Sequence, residues 1–322
     1  MILGIDTSCY TTSVAIVDAD GRLLTEGRRL LSVAAGERGL RQSEGLFCHV
    51  KQLPEVLEEA MSHAEASWGG VEAIAVSSRP RPVDNSYMPV FLAGEGLALS
   101  LAATLSCPLY RFSHQEGHIE AALASAGLRW RDPFLALHLS GGTGELLAVR
   151  PLKDSPGFQV ELVGDTDLPP GQFIDRVGVA LGLPFPAGPH LERLAGEEQG
   201  AFRLSGSVQG THISFSGPES AAQRAILAGV APPEVAGAVL DNIAKSLEKA
   251  IRCAMEQQGC RRVVAAGGVA ANARIKRRLQ KIGVRFADPH FAGDNAFGVA
   301  RLGAAAWRQS RADKQVDELT DE

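Results

Sequence analysis

The chain has 322 residues, a formal net charge of −5, 45% hydrophobic residues and 21% charged residues. This composition is typical of an ordinary soluble globular protein that is long enough for two domains. The acidic balance lacks the basic surplus of a protein whose main task is to grip nucleic acid, although a local basic patch can still serve an RNA substrate.

The start of the chain, MILGIDTSC, has no basic stretch followed by a long apolar run, and no stretch of about 18 uninterrupted apolar residues follows later. We therefore expect no signal peptide and no membrane span. The five cysteines are odd in number and have no CxxC spacing. This pattern predicts reduced thiols in a cytoplasmic protein.

The first third of the chain predicts a small α/β unit. Two short apolar runs joined by the polar turn TSCYTT are typical of a hairpin, and an Asp-Gly turn then precedes a third strand. Apolar residues recur at helical spacing between residues 44 and 63. We predict strands at 2–6, 13–18, 22–30 and 71–78, and helices at 44–63 and 91–105.

A second set of elements follows Pro108 and begins with another hairpin, at 134–150. Two parts that each open on a hairpin indicate a duplicated α/β architecture. We expect a first lobe at 1–112, completed by a C-terminal helix at 294–310, a second lobe at 113–293 and a flexible tail at 311–322. Within the second lobe we predict helices at 173–181, 218–228, 232–258 and 272–282, and a strand at 261–268.

The clearest local signal is the pair His114 and His118 in HQEGH. On a helix, positions i and i+4 lie on one face, so two imidazoles there can bind one metal ion. Two histidines on a polar helix face are the simpler interpretation of such a pair alone. Asp294, in AGDNAFG, supplies the carboxylate that would complete a two-His site for iron or zinc, but spacing does not link it to the pair, and a helix-capping turn explains it equally well.

Three glycine or hydroxyl turns, each flanked by apolar strands, can bind anions through backbone N–H groups. They are residues 6–12, 140–145 and 265–272, and none is a P-loop or a GxGxxG turn. Asp175, near Gln172 at the start of a predicted helix, can hold ribose hydroxyls, whereas a first-turn acid that favours the helix dipole is the structural alternative.

Six motifs in one order resemble the TsaD/Gcp family, once catalogued as O-sialoglycoprotein endopeptidases. The resemblance spans nearly the whole chain. The motifs are ILGIDTSC at the start, HQEGH at 114–118, LSGGTGEL at 139–146, FSG at 215–217, AAGGVAAN at 265–272 and DPHFAGDNA at 288–296.

The resemblance implies a two-lobed actin/sugar-kinase fold, α/β with duplicated mixed sheets and an interlobe nucleotide cleft. It implies transfer of a threonylcarbamoyl group from threonylcarbamoyl-adenylate to N6 of the tRNA adenosine beside the anticodon. It also implies TsaB-like and TsaE-like partner proteins, no membrane, one iron or zinc ion, and ATP or the adenylate as bound nucleotide. The implied metal ligands are His114, His118 and Asp294, the implied nucleotide contacts are Ser140, Gly141, Gly142, Asp175, Gly188, Gly267, Gly268 and Asn272, and the catalytic positions are Asp6 and Tyr10.

Several positions depart from the family pattern. The family opening ETSCDET is here DTSCYTT, so Tyr10 and Thr11 replace acids. The stretch 79–95 replaces the PGLxxxLxVG segment, Thr143 replaces the histidine of SGGH, and Gln172 replaces an acid. We interpret the chain as a divergent relative with the metal and nucleotide positions mostly retained and the acceptor side altered.

Three functions fit these observations. The first is a threonylcarbamoyltransferase acting on tRNA, and the second is a related carbamoyltransferase with another acceptor. The third is a non-catalytic nucleotide-binding scaffold like TsaB, against which the histidine pair argues. A metallopeptidase is disfavoured because the chain has no HExxH motif.

Overall fold

The computed structural model describes residues 1–8, 10–32, 40–64, 67–196 and 200–320. It divides into two compact units. Unit 1 consists of residues 1–124, 151–159 and 294–322, and unit 2 consists of residues 125–150 and 160–293. Within the described ranges, no helix combines the length and the apolar character needed to cross a membrane.

Unit 1 is built on a five-stranded mixed sheet in the order β3-β2-β1-β4-β5. The hairpin of β1 and β2 is antiparallel, whereas β4 pairs with β1, and β5 with β4, in parallel. Every residue of β1 and β2 is buried, as expected for central strands with both faces covered. The strands are β1 (Ile2–Asp6), β2 (Thr11–Val17), β3 (Leu23–Leu30), β4 (Ala73–Arg79) and β5 (Leu109–Ser113).

Helices α1 and α2 pack against this sheet through Leu53, Val56, Ala93 and Ala98, all of which belong to one buried apolar cluster with the strands. The C-terminal helix also contacts β1, β2 and β4. The helices of unit 1 are α1 (Gln42–His63), α2 (Phe91–Leu105), α3 (His114–Ser125), whose last residue falls in unit 2, and α9 (Phe297–Thr320).

Unit 2 contains a second five-stranded sheet, in the order β12-β11-β6-β7-β8. Its first hairpin is again antiparallel, and β11 and β12 again join in parallel. The two sheets therefore share one topology, which confirms the predicted duplication. The strands are β6 (Phe134–Leu139), β7 (Gly144–Pro151), β8 (Phe158–Asp165), β11 (Val263–Ala266) and β12 (Arg285–Phe286).

The core of unit 2 forms where the long amphipathic helix α7 packs on the sheet and on shorter helices, through residues such as Val239, Leu240 and Ile243. A small two-stranded sheet of β9 and β10 lies outside the main sheet order. These elements are α4 (Pro170–Ala180), α5 (Gly188–Ala195), β9 (Ser207–Gln209), β10 (His212–Ser214), α6 (Ser216–Leu227), α7 (Pro232–Gln257) and α8 (Ala273–Gln280).

The start of α3 and the start of α9 approach closely through two glycines. A Cβ atom on Gly298 would lie 1.8 Å from the carbonyl oxygen of Gly117, and one on Gly117 would lie 2.8 Å from Val299 Cγ2. This close packing places α3 in unit 1. Unit 1 therefore continues to residue 124, beyond the predicted lobe boundary after residue 112.

The predicted tail at 311–322 is helical as far as Thr320, since α9 continues to that residue. Strands β5 and β8 and helix α5 were not predicted, because their burial patterns mix buried and exposed positions without a clear period. The insertion of residues 151–159 into unit 1 was not predicted either.

We expect Gly298→Ala to destabilise the protein by roughly 1–3 kcal/mol, because the added methyl group must push α3 away from α9. The measurement is the midpoint of urea-induced unfolding. Gly96→Ala is the matched control, since a Cβ at this exposed position of α2 meets no described atom within 4 Å. The control should be neutral or stabilising, and equal midpoints for the two variants would contradict the close packing.

Candidate metal and nucleotide sites

Two segments of unit 1, the start of α3 and the residues just before α9, bring the predicted metal ligands together. Helix α3 begins at His114, so His114 and His118 lie one turn apart at its start, with ring centroids 4.3 Å from each other. Asp294 lies three residues before α9 and reaches both rings. Its Oδ1 is 3.4 Å from Nε2 of His114 and 3.3 Å from Nε2 of His118.

These separations fit a metal ion. Ligand bonds of about 2.1 Å at tetrahedral angles place neighbouring donor atoms about 3.4 Å apart. One donor atom from each of the three residues lies within 4.8 Å of the others. Two imidazoles and one carboxylate also leave coordination positions open for a further ligand. The donor set therefore suits iron or zinc.

Asp6 lies at the end of β1, on the Nδ1 side of the His114 ring. Its side chain is fully buried, and its Oδ2 accepts hydrogen bonds from Nδ1 of His114 (2.8 Å) and from Oγ of Ser77 (2.6 Å). Its Oδ1 accepts the backbone N–H of Ser8 at 2.8 Å. An imidazole that donates Nδ1–H to a carboxylate keeps its Nε2 lone pair free for a metal. Asp6 is therefore placed to orient His114, and the direct catalytic role that the resemblance implies for it stays a prediction.

The carboxylates make this site favourable for positive charge. Burial alone would lower the pKa of His114, but the charges and hydrogen bonds of Asp6 and Asp294 outweigh burial and raise that pKa well above its ordinary value. Burial would raise the pKa of Asp6 and Asp294, yet the imidazoles and hydrogen bonds hold both below the ordinary value. The pocket thus stabilises a cation next to the carboxylates, be it a proton or a metal ion.

Helix α3 begins with a capping box formed by Ser113 and Glu116. The N–H of Glu116 donates to Ser113 Oγ at 3.2 Å, and the N–H of Ser113 donates to Glu116 Oε2 at 2.8 Å. The sequence carried this signal as S-x-x-E. The two histidines dominate the pattern of HQEGH, so the sequence alone does not mark Glu116 as a site residue.

The turn after β1 carries the predicted catalytic position Tyr10. Tyr10 is 42% exposed, while the neighbouring Thr11 is buried on β2. Thr7 ties this turn to the start of α2, since its Oγ1 donates to the carbonyl oxygen of Val90 and accepts the N–H of Gly94. Val90 and Gly94, at the end of the segment 79–95, are thereby bonded to the turn that follows Asp6.

In unit 2, the turn between β6 and β7 lies against the start of α4. Oγ of Ser140 accepts the N–H groups of Gly142 (3.3 Å) and Thr143 (3.0 Å). The N–H of Gly171 donates to the carbonyl oxygen of Ser140, and a Cβ on Gly171 would lie 2.6 Å from Gly141 Cα. The faces of Gly141 and Gly142 are open, since a methyl group added to either would meet no described atom within 4 Å. A ligand can therefore approach the backbone here.

The second glycine turn meets the first at the carboxyl ends of the parallel strands β6 and β11. Gly267 has a φ of +102°, and a Cβ there would lie 2.0 Å from the carbonyl oxygen of Leu139. A Cβ on the next residue, Gly268, would meet no atom of the described chain within 4 Å. Asn272 caps α8, because its Oδ1 accepts the N–H groups of Arg274 and Ile275. The carboxyl ends of parallel strands are the usual ligand-binding edge of such sheets.

Asp175 and Gly188 lie at the contact between α4 and α5. Oδ1 of Asp175 accepts the N–H of Ala187 at 2.7 Å, directly before Gly188. Asp175 is the sixth residue of α4, so the alternative of a first-turn acid does not apply. The structure thus places all eight predicted nucleotide residues in unit 2.

Glu192 is a further candidate functional residue, and no pattern in the sequence marks it. Its Oε1 accepts the N–H of Ala273 at 2.7 Å, and it lines a cavity of about 230 Å³ together with Arg193, Arg274 and Arg277. No short motif marks Glu192, because its position depends on the packing of α5 beside α8.

Several solved structures share this fold at low sequence identity. The HypF protein of T. kodakarensis gives a TM-score of 0.58 at 16% identity, covering 96% of this chain and 48% of the other. Component A of the (R)-2-hydroxyglutaryl-CoA dehydratase of Acidaminococcus fermentans gives 0.56 at 15% identity, covering 96% and 98%. The ROK hexokinase of Thermus thermophilus gives 0.50 at 19% identity, covering 96% and 99%. These similarities confirm the actin/sugar-kinase type of fold.

Other relatives have higher sequence identity. A tRNA N6-adenosine threonylcarbamoyltransferase of Geobacillus kaustophilus is 33% identical, and the match covers 96% of this chain and 92% of the relative. The enzyme of the same name from Thermus thermophilus is 31% identical, with 96% and 92% covered. The family described as "TsaD: tRNA N6-adenosine threonylcarbamoyltransferase" matches residues 47–301. The chain therefore belongs to the TsaD family of transferases.

Proposed function

We propose that this protein transfers a threonylcarbamoyl group from threonylcarbamoyl-adenylate to N6 of the tRNA adenosine beside the anticodon. The observation that carries the proposal is the convergence of His114, His118 and Asp294 in a chain of the TsaD family. Its named relatives are tRNA N6-adenosine threonylcarbamoyltransferases.

We assign one divalent ion, iron or zinc, to His114, His118 and Asp294. When bound, such an ion polarises a carbonyl or phosphoryl oxygen as a Lewis acid. Asp6 orients His114 through its Nδ1 and keeps Nε2 directed toward Asp294. The donor distances and the preference of the pocket for positive charge support this assignment.

We assign the adenine nucleotide, ATP or the adenylate, to unit 2. Backbone groups of the turn at Ser140, Gly141 and Gly142 face the phosphate, with Gly267 and Gly268 beside them. Asp175 and Gly188 hold the ribose end, and Asn272 fixes the start of α8. The open faces of Gly141, Gly142 and Gly268 support this assignment, because a side chain would fill the space that a phosphate needs.

In the proposed reaction, N6 of adenosine forms a bond to the carbamoyl carbon. The bond from that carbon to the phosphate oxygen breaks, AMP leaves, and one N6 proton is released. Asp6 cannot take this proton without giving up its bonds to His114, Ser77 and Ser8. Its role is therefore to position His114.

TsaB-like and TsaE-like proteins are the proposed partners, and the cytoplasm is the proposed location. The partners rest on the resemblance to the TsaD family, and the location rests on that resemblance together with the odd number of cysteines and the lack of CxxC spacing in the sequence. A size-exclusion experiment with purified partners tests the first, and co-elution is the expected result.

A related transferase with a different acceptor is the second candidate. The exposed Tyr10 and the buried Thr11 favour it, because the family has acids at both positions. A changed acceptor would leave the metal and nucleotide sites intact while altering this turn.

We expect anaerobically purified wild-type protein to contain about one iron or zinc ion per chain, and His118→Ala to lose it, because the variant removes one of three ligands. The measurement is elemental analysis of both proteins. His63→Ala, which changes an exposed histidine at the end of α1, is the control and should retain the metal. A metal-free wild type would refute the assignment and favour a scaffold role.

We expect Gly268→Ala to weaken ATP binding at least tenfold without changing stability, since its methyl group would project into the open space assigned to the ligand. Gly267→Ala should instead lower the unfolding midpoint, because its methyl group collides with Leu139. Calorimetric titration with ATP and thermal unfolding separate the two effects. Unchanged ATP affinity in Gly268→Ala would place the nucleotide elsewhere.

We expect Tyr10→Asp to raise the rate of tRNA modification at least tenfold, because a carboxylate at this position can act as a general base. The measurement is mass spectrometry of nucleosides after incubation of unmodified tRNA with threonylcarbamoyl-adenylate and partner proteins. Tyr10→Phe, which adds no carboxylate, is the control and should leave the rate unchanged.

Two outcomes of this assay count against the proposals. If Tyr10→Asp leaves modification absent or unchanged, Tyr10 is not the obstacle. If neither protein forms product where a standard TsaD enzyme succeeds, the chain does not modify tRNA, and the second candidate gains support.

A further inference from the structure

Glu116 is a buried carboxylate between the two histidines of HQEGH, only 5% exposed, and the reaction as proposed does not use it. A buried carboxylate is costly unless hydrogen bonds satisfy its oxygens. Glu116 accepts three such bonds. Oε2 receives the N–H of Ser113 (2.8 Å) and its Oγ–H (2.7 Å), and Oε1 receives the N–H of Phe158 (3.2 Å).

The bonds to Ser113 determine where α3 begins. With Ser113 as the N-cap, His114 is the first helical residue and His118 lies one turn later. Residues i and i+4 share one face only while both are helical, so a helix that began one residue later would leave His114 outside it and remove this relation to His118. The capping box thus controls the geometry of the two imidazoles.

The bond to Phe158 adds a second anchor from a distant part of the chain. Residues 151–159 connect β7 to β8 yet belong to unit 1. A Cβ on Gly157 would lie 2.9 Å from Glu116 Oε1, so glycine permits the close approach of this segment. One side chain therefore joins the first turn of α3 to the inserted segment.

Only a carboxylate can accept hydrogen bonds on both sides. An amide in its place presents N–H₂ toward the backbone N–H of either Ser113 or Phe158, so two donors would then face each other. Glu116→Gln therefore breaks one anchor while it retains size and shape. This makes the variant a specific probe of the carboxylate.

We propose that Glu116 is a positioning residue for the metal centre, which holds His114 and His118 in register with Asp294 by fixing the start of α3 to Ser113 and to the inserted segment. The proposal rests on the proposed metal site. Residues that orient metal ligands without binding the metal themselves change metal affinity by about 10–100-fold when they are removed.

The experiment titrates metal-free full-length protein with Co²⁺ and follows the visible absorption of the bound ion, which reports affinity and ligand geometry. We expect Glu116→Gln to bind Co²⁺ at least tenfold more weakly than wild type, with an altered spectrum. Glu120→Gln, on the same helix but paired with Arg301, is the matched control and should bind like wild type. Circular dichroism and thermal unfolding verify that the variants are folded.

The outcomes separate the two proposals. If wild type binds no Co²⁺, the metal site itself is refuted. If wild type binds and Glu116→Gln binds equally well with the same spectrum, Glu116 is only a structural cap and the inference is wrong, even where the unfolding temperature falls. If Glu116→Gln does not fold, Ser113→Ala, which removes one donor to the same oxygen, is titrated instead, and wild-type affinity and spectrum in that variant would overturn the inference.

Discussion

The buried contact between Asp6 and His114 is the interaction on which the candidate centre of unit 1 depends. It joins the end of the first strand to the start of α3, across 108 residues of sequence. Asp6 is fully buried, so its charge requires the bonds that Ser8, Ser77 and His114 provide. The same carboxylate thus links β1 to β4 through Ser77 and orients the ring of His114, the proposed metal ligand.

This contact also explains the charge preference of the site. Two carboxylates, Asp6 and Asp294, flank the ring of His114 on its two nitrogens, at 2.8 and 3.4 Å. Their combined effect on the pKa of His114 exceeds that of burial. A divalent ion bound at the proposed site would therefore compete with a proton for Nε2 of His114. The two carboxylates beside His114 favour a protonated imidazole when no metal is bound. They would equally favour a bound metal cation at the proposed site.

The sequence predicts those elements and site residues whose structure depends on a local residue pattern. The first hairpin and helices α1, α2 and α7 follow from apolar spacing and turn residues, and the closeness of His114 and His118 follows from their i, i+4 spacing on a helix. The pairing of the histidines with Asp294 did not follow from spacing, because the closeness of α3 and α9 depends on Gly117 and Gly298, which no period marks. Glu192 and the insertion of residues 151–159 were missed for the same reason, since both depend on packing between distant segments.

The two sheets share one topology, but the residues at equivalent strand ends differ in chemical character. Asp6 and Leu139 each end the first strand of their sheet, and the next position on the parallel neighbour is Ser77 in one case and Gly267 in the other. In unit 1 this pair is a hydrogen bond between Ser77 and Asp6, and it supports a carboxylate. In unit 2 the glycine brings two backbones into contact and leaves the neighbouring turns open. The hydrogen-bonded pair of Asp6 and Ser77 therefore suits a site for a cation, whereas Gly267 suits a site for an anion. The same duplicated sheet topology can thus carry both kinds of site.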